Sequence, residues 1–343
     1  MNPKHEPTRA GETPAPVSVT EVAETGAKVM DAVGGAVVGQ HEPLRLALAA
    51  ILAGGHVLIE DVPGLGKTLA ARSLAGALGL DFRRVQCTPD LLPADVTGSY
   101  IYEQARQEFV FHPGPIFTGL LLVDEINRTP PKTQSAFLEA MQEWQVTVEG
   151  TTRHLDRPFH VLATANPIEY DGTYPLPEAQ LDRFLLRLQF GYPGPDEETA
   201  VLRRRIDRRR DEVSVPAVID APVLRRLQAA VETVDVAPDV ARYCVDLVTA
   251  TREHRSVEVG ASPRGSLALM LVARALAVLA GRSFVLPEDV KACAVPALGH
   301  RLTLRPETWA TGVTGQSIVA ELLESVPTPG AVPPSRPEPG PGR

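Results

Sequence analysis

Residues 58–68 read Leu-Ile-Glu-Asp-Val-Pro-Gly-Leu-Gly-Lys-Thr, and no other stretch limits the possible folds as much. Val57, Leu58 and Ile59 form a short apolar run of the kind buried in a parallel sheet. The run breaks into a Pro- and Gly-rich turn, and the turn opens a helix expected over 69–78. With no Cβ at Gly64 or Gly66, the backbone can curl and aim successive N–H groups inward, beside the positive end of the helix dipole. Such a cradle fits a polyphosphate. Lys67 would reach the β- and γ-phosphates, and the Thr68 hydroxyl would ligate Mg2+. The expected nucleotide-binding loop is therefore Pro63, Gly64, Leu65, Gly66, Lys67, Thr68 and Leu69. Asp61 stands where the general pattern GxxxxGK[ST] has its first glycine, so the rest of the chain must supply supporting groups.

Two later strands supply them. Residues 119–125 read Gly-Leu-Leu-Leu-Val-Asp-Glu, a continuous apolar run that suits a strand covered on both faces. In parallel sheets ligand chemistry gathers at the carboxyl ends of strands, which is where Asp124 and Glu125 fall. Asp124 can hold the Mg2+ shell and Glu125 can polarise an attacking water. A further strand over 159–164 leads to Asn166, whose amide would position that water or sense the γ-phosphate. An Asx turn set up by Asn166-Pro167 is the plainer alternative, and the two preceding motifs favour the functional one. Arg183 falls on a helix over 177–184. It can pair with Asp182 or Glu178, or it can reach into a neighbouring subunit's nucleotide. Ser262-Pro263-Arg264 opens a strongly apolar helix, from which Arg264 could lean toward the phosphates. Val37 and Val38, next to Gly39, would either cover an adenine ring or pack a turn, and the residues alone leave both open.

Between these motifs, 99–102 and 108–111 are β-prone runs around a polar turn and read as a hairpin. From Tyr192 onward the texture is helical, with helices expected at 196–212, 222–233, 239–254, 263–280, 287–295 and 316–324 and no further strands. The run 203–210 (Arg-Arg-Arg-Ile-Asp-Arg-Arg-Arg) has acidic flanks, which favours a salt-bridged surface helix over a nucleic-acid grip. A formal net charge of −8 points the same way. The three cysteines are widely spaced and form no CxxC, so neither a disulfide framework nor a zinc site is suggested. No signal peptide or membrane span is visible, and a cytoplasmic protein is expected. Residues 1–18 and 326–343 read as disordered tails.

In order and spacing, Gly64 to Thr68, Leu120 to Glu125, Asn166, Arg183 and Arg264 resemble the Walker A, Walker B, sensor 1, arginine finger and sensor 2 elements of AAA+ ATPases. The strings VDEINRTPPKTQSAFLEAMQE, GTYPLPEAQLDRFLLR and GASPRGSLAL are similar, more narrowly, to the MoxR family, and the likeness spans about 20–325. It implies an α/β fold: an αβα nucleotide-binding domain with a parallel sheet over 19–192, carrying the hairpin near 99–111 as an insert in its second helix. A small all-α lid domain would follow over 193–325. It further implies ATP and Mg2+ as cofactors and a homo-oligomeric ring, a hexamer, in which Arg183 completes the neighbour's site. Whether Arg264 acts within its own subunit or across the interface stays open. Family members are chaperone-like ATPases, often with a von Willebrand factor A domain partner and a protein client. ATP is expected over GTP because none of Asn2, Asn127 and Asn166 begins an Asn-Lys-x-Asp guanine-reading motif. The competing readings are a nucleotide-gated binding module without turnover, a nucleic-acid-translocating ring and, more remotely, metal chelation into a small cofactor.

Overall fold

A computed structural model describes residues 17–167 and 172–330; residues 1–16 and 331–343 of the two expected tails lie outside this range. The first half of the chain runs α1 (Val19–Gly34), α2 (His41–Leu52), β1 (Val57–Glu60), α3 (Lys67–Ala77), β2 (Phe82–Gln86), α4 (Pro93–Thr97), β3 (Gly98–Glu103), β4 (Glu108–Pro113) and β5 (Leu120–Asp124). There follow α5 (Pro131–Glu143), β6 (Gln145–Val148), β7 (Thr151–His154), β8 (His160–Ala165), α6 (Glu178–Leu181) and β9 (Leu186–Leu188). The second half is α7 (Pro195–Arg208), α8 (Ala221–Val231), α9 (Pro238–Glu253), β10 (Val257–Val259), α10 (Pro263–Leu279), α11 (Pro287–Leu298), β11 (Thr303–Leu304) and α12 (Gly315–Ser325).

Five strands form one parallel sheet in the order β2-β5-β8-β1-β9. Period-2 alternation sorts its side chains onto two faces. Val57, Ile59, Leu120, Leu122, Leu162 and Leu188 join one core with helices of both halves. Leu58, Leu121, Val123, Val161 and Ala163 join another with α5. Both faces are covered, which is why β5 and β8 are buried along their whole length and why β5 reads as an unbroken apolar run up to Asp124. The α/β architecture with a mostly helical second half is as expected.

Several details differ from the sequence reading. The β10–β11 pair is an antiparallel ladder inside the helical half, where no strand was expected; two and three residues are too few to show alternation. β7 pairs with β6 in a second hairpin that the sequence did not signal. Helix α7 stops at Arg208, because Arg209 turns left-handed (φ 56°). In the expected arginine run, Arg204 donates to the Gly34 and Gly35 carbonyls at 2.7 and 2.9 Å, and Arg205 pairs with Asp211 at 2.8 Å. The expected hairpin forms over β3 and β4, directly after the short α4. Its base is held by Arg153 of β7, whose guanidinium lies 4.7 Å from the Phe111 ring centroid and donates to the Tyr100 hydroxyl at 2.5 Å. Its tip leaves Ile101, Tyr102 and Phe109 exposed, Phe109 by 69%.

Two buried histidines at the amino edge of the sheet are locked in the neutral state. His56 Nδ1 accepts from the Val161 N–H at 3.0 Å, so its Nε2 is the donor to the Met141 carbonyl at 3.0 Å. His160 Nδ1 lies 3.0 Å from the Gly55 carbonyl and its Nε2 lies 3.1 Å from Gln228 Nε2 of α8. Burial pushes the pKa of His56 from 6.5 down to about 3 and that of His160 to about 4. Between pH 6.5 and about 4 the unfolded chain therefore binds protons that the native chain refuses, so stability rises with pH across that window. The pair is expected to remove roughly 2–3 kcal/mol of unfolding free energy on going from neutral pH to about 5.5. Urea unfolding at the two pH values checks this, and equal midpoints would contradict it.

Candidate nucleotide site

The strand order brings the expected motifs together. β5, β8 and β1 are adjacent in the sheet, so the segments that follow Asp124, Ala165 and Glu60 leave its carboxyl edge side by side. After β1 the chain curls through Gly64 (φ 87°) and Gly66 (φ 79°), left-handed positions where a side chain would be strained. Gly66 caps α3 without any side-chain hydrogen bond, and the first turn holds no acidic residue. The helix thus presents its first N–H groups and a net positive end, the arrangement that receives an anion. Lys67 Nζ donates to the Asp61 carbonyl at 2.6 Å. Burial lowers the Lys67 pKa, and the fields of Asp61, Asp124 and Glu125 oppose that shift.

Asp124 is 9% exposed and fully engaged. Its Oδ1 accepts from Thr164 Oγ1 at 2.5 Å, and its Oδ2 accepts from Arg84 Nε and Nη2 at 3.0 and 2.6 Å. Glu125 follows in the left-handed region (φ 58°), and its N–H donates to Thr164 Oγ1 at 2.8 Å. That turn swings the Glu125 carboxylate away from the strand. There Oε2 accepts from Gln86 Nε2 at 2.9 Å and meets Arg128 Nε at 3.1 Å. A charged residue held in a sparsely populated conformation beside a phosphate loop is where backbone strain is commonly functional. Asn166 is buried just past β8, its carbonyl accepting from Asn127 Nδ2 at 3.3 Å. Arg84, Gln86 and Thr164 were not anticipated; each is set by strand adjacency, through β2 and β8 flanking β5.

Known proteins resemble this chain. Residues 56–186 match the family described as the ATPase family associated with various cellular activities (AAA), and residues 249–322 match the AAA lid domain. The chain is 48% identical to the uncharacterised protein YeaC of Bacillus subtilis over 88% of its own length and 94% of that protein. It is 41% identical to Chaperone MoxR1 of Mycobacterium tuberculosis over 85% of itself and 79% of that protein. With Protein MoxR of Paracoccus denitrificans it shares 33% identity over 88% and 95% of the two chains. The chain belongs to the MoxR family of AAA+ ATPases. Its fold agrees with the crystal structure of a candidate ATPase from Cytophaga hutchinsonii, at a TM-score of 0.85 and 40% identity, covering 91% of this chain and 97% of that one.

The remaining expected residues of this MoxR chain do not join Lys67. Arg183 lies beyond α6, which ends at Leu181 with Asp182 as its cap, so it is a turn residue and not a helical one. Its Nη1 donates to the Leu138 carbonyl of α5 at 2.8 Å, and its buried Nε has no partner among the described residues. The ion pair considered between Arg183 and Asp182 gives way to another: Asp182 Oδ1 accepts from Arg301 Nε at 2.9 Å and Oδ2 accepts from Ser262 Oγ at 3.2 Å. Arg264 lies with this group, its Nε 3.9 Å from Asp182 Oδ2. The structure thus brings Arg264 to Asp182, the residue before Arg183. Gly39 lies against the first turn of α7, and Gln40 against the connector between β9 and α7, whose Phe190 and Gly191 N–H groups bond Asp61. Gly39 (φ 74°) is packed so closely on Glu197 that a Cβ would sit 2.6 Å from Glu197 Oε2, and Gln40 Nε2 donates to the Gly191 carbonyl at 3.3 Å.

Thr68 and Asp124 offer hard oxygen donors on the phosphate loop and on the neighbouring strand, a set that suits Mg2+. Among the described residues no group of three or more His, Cys, Asp or Glu could hold a metal by itself, so a bound ion would draw further ligands from nucleotide and water. No helix among the described residues is long and apolar enough to cross a membrane.

Proposed function

We propose that this MoxR protein hydrolyses Mg2+-ATP in a homo-oligomeric ring, a hexamer, and uses the energy to remodel or mature a protein client in the cytoplasm. The observation that carries the reading is the gathering of Lys67, Asp124 and Glu125 at the carboxyl edge of the sheet, after β1 and β5, with Asn166 just past β8, the strand between those two. In this reading residues 63–69 bind the phosphates, and Val38 and Gly39 meet the base. Thr68 and Asp124 hold the metal, which when bound neutralises charge on the β- and γ-phosphates. Glu125 takes the proton of the attacking water, and Asn166 orients that water against the γ-phosphate. The ATPase core would end near residue 192, with the lid spanning 193–325.

Arg183 and Arg264 are assigned to the neighbour's nucleotide. Support comes from their position around Asp182, apart from the contacts of Lys67, and from the buried Arg183 Nε, which has no acceptor among the described residues. α7 buries none of its residues and exposes Leu202 and Ile206, which suits packing between subunits. The exposed tip of the β3–β4 hairpin offers an apolar surface for the client. A von Willebrand factor A domain partner rests on the family resemblance alone.

ATP turnover measured against protein concentration tests the ring. Specific activity should rise as subunits assemble, and Arg183→Ala should bind ATP but lose at least about tenfold in turnover at every concentration. Concentration-independent activity, unchanged in the variant, would remove the inter-subunit part of the proposal.

A further inference from the structure

The side chain of Asp61 has no task in the ATPase reading, yet it is among the most connected groups near the site. Its N–H donates to the carbonyl of Ala165, the residue before Asn166, at 3.2 Å, and its carbonyl accepts from Lys67 Nζ at 2.6 Å. Carboxylate Oδ1 accepts from the Val62 N–H at 2.8 Å, which fixes the side chain against its own loop. Oδ2 accepts from two successive N–H groups, those of Phe190 and Gly191, both at 2.8 Å. These two amides belong to the connector between β9 and α7, the stretch of backbone that leads from the sheet into the helical half. Gly191 is left-handed there (φ 69°). One carboxylate oxygen therefore joins the phosphate loop to the entry of the helical half. Backbone N–H donors to an ionised acceptor make short, charge-assisted bonds, and two of them on one oxygen fix its direction. A glycine at position 61, as the general loop pattern has, would leave both connector amides without this acceptor.

We propose that Asp61 is a positioning residue that couples nucleotide occupancy of the phosphate loop to the connector, and through it to the attitude of the helical half. The inference rests on the ATPase reading for its effector, the nucleotide. Lys67 has three N–H donors, one of them committed to the Asp61 carbonyl. Phosphates in the cradle compete for those donors, the peptide of Asp61 readjusts, and the carboxylate on the same residue carries the change to Phe190 and Gly191.

Hydrogen exchange of peptides covering 186–194 tests this in the full chain, with ADP as the probe, in the parent, Asp61→Gly and Asp61→Asn. In the parent, ADP should change exchange at these amides. In Asp61→Gly they should exchange about tenfold faster without nucleotide and no longer respond to ADP, although ADP still binds. Turnover should show a split, with kcat down about tenfold and KM within about threefold. Asp61→Asn, whose amide oxygen still accepts from the connector, should recover most of the ADP response and most of the kcat; this argues against mere misfolding. A nucleotide response in Asp61→Gly equal to that of the parent overturns the coupling. So does a parent that binds ADP with no change at 186–194. A parent that binds no ADP overturns the ATPase reading itself, and the coupling with it. The nucleotide-free comparison of parent with Asp61→Gly then still shows whether the carboxylate holds the connector.

Discussion

Glu125→Gln is expected to bind ATP as the parent does and to release phosphate about 10²- to 10⁴-fold more slowly, the range over which a positioned general base contributes. The substitution isolates proton acceptance because almost nothing else about the residue changes. Gln is isosteric, its amide oxygen can still accept from Gln86 Nε2 and Arg128 Nε, and the left-handed backbone at position 125 is set by the N–H bond to Thr164 Oγ1. What the amide cannot do is take a proton from water. Steady-state phosphate release, with nucleotide affinity measured beside it, reads the two properties separately. Full activity in the variant would mean that the base lies elsewhere. Loss of affinity and turnover together would mean that the Glu125 carboxylate holds the loop and does no proton transfer.

The second large effect concerns stability. Asp182→Ala should cost about 3–5 kcal/mol of unfolding free energy, because it strands a buried cation. Arg301 has a side chain only 3% exposed. It reaches from just beyond α11 to the Phe184 carbonyl at 2.8 Å and also donates to the Ala297 carbonyl, but Asp182 is its sole ion-pair partner among the described residues. Burial already pushes the Arg301 pKa down, and Asp182 opposes that shift. Denaturant midpoints for Asp182→Ala, for Arg301→Met and for the double variant would separate the cost of an orphaned charge from that of a lost contact. The double variant should recover much of the stability lost in Asp182→Ala, since the cation is gone. A loss below about 1 kcal/mol in Asp182→Ala would mean that Arg301 finds water on opening. The same variant also frees the turn that carries Arg183.

The parts of the site that were legible in the sequence are those written as a contiguous string. An apolar strand followed by Gly-Lys-Thr or Asp-Glu declares both its burial and its chemistry, and the parallel sheet then has few ways to place such strings other than side by side. What was not legible depends on lateral neighbours. Gln86 and Arg84 sit on a strand whose partner, β5, cannot be inferred from either residue, and Thr164 gives no local sign that it will bridge Asp124 and the Glu125 N–H. Arg183 was expected on a helix over 177–184; the helix lasts one turn, and Asp182 just past it is engaged by Arg301, a partner far along the chain that no local pattern reveals. Asp61 was visible as a departure from a pattern. That its carboxylate serves a connector so far along the chain could be learned only from the fold.

The sheet order also has a consequence for synthesis. β1, with the phosphate loop at its end, emerges from the ribosome early, but it pairs only with β8 and β9, whose residues are 160–165 and 186–188. Until those have been made, the apolar strand that carries the phosphate loop has neither edge satisfied and depends on its nascent neighbours or on a holding chaperone to stay out of wrong pairings. A chain interrupted between residue 69 and residue 160 thus contains every residue of the phosphate loop without the frame that gives the loop its shape.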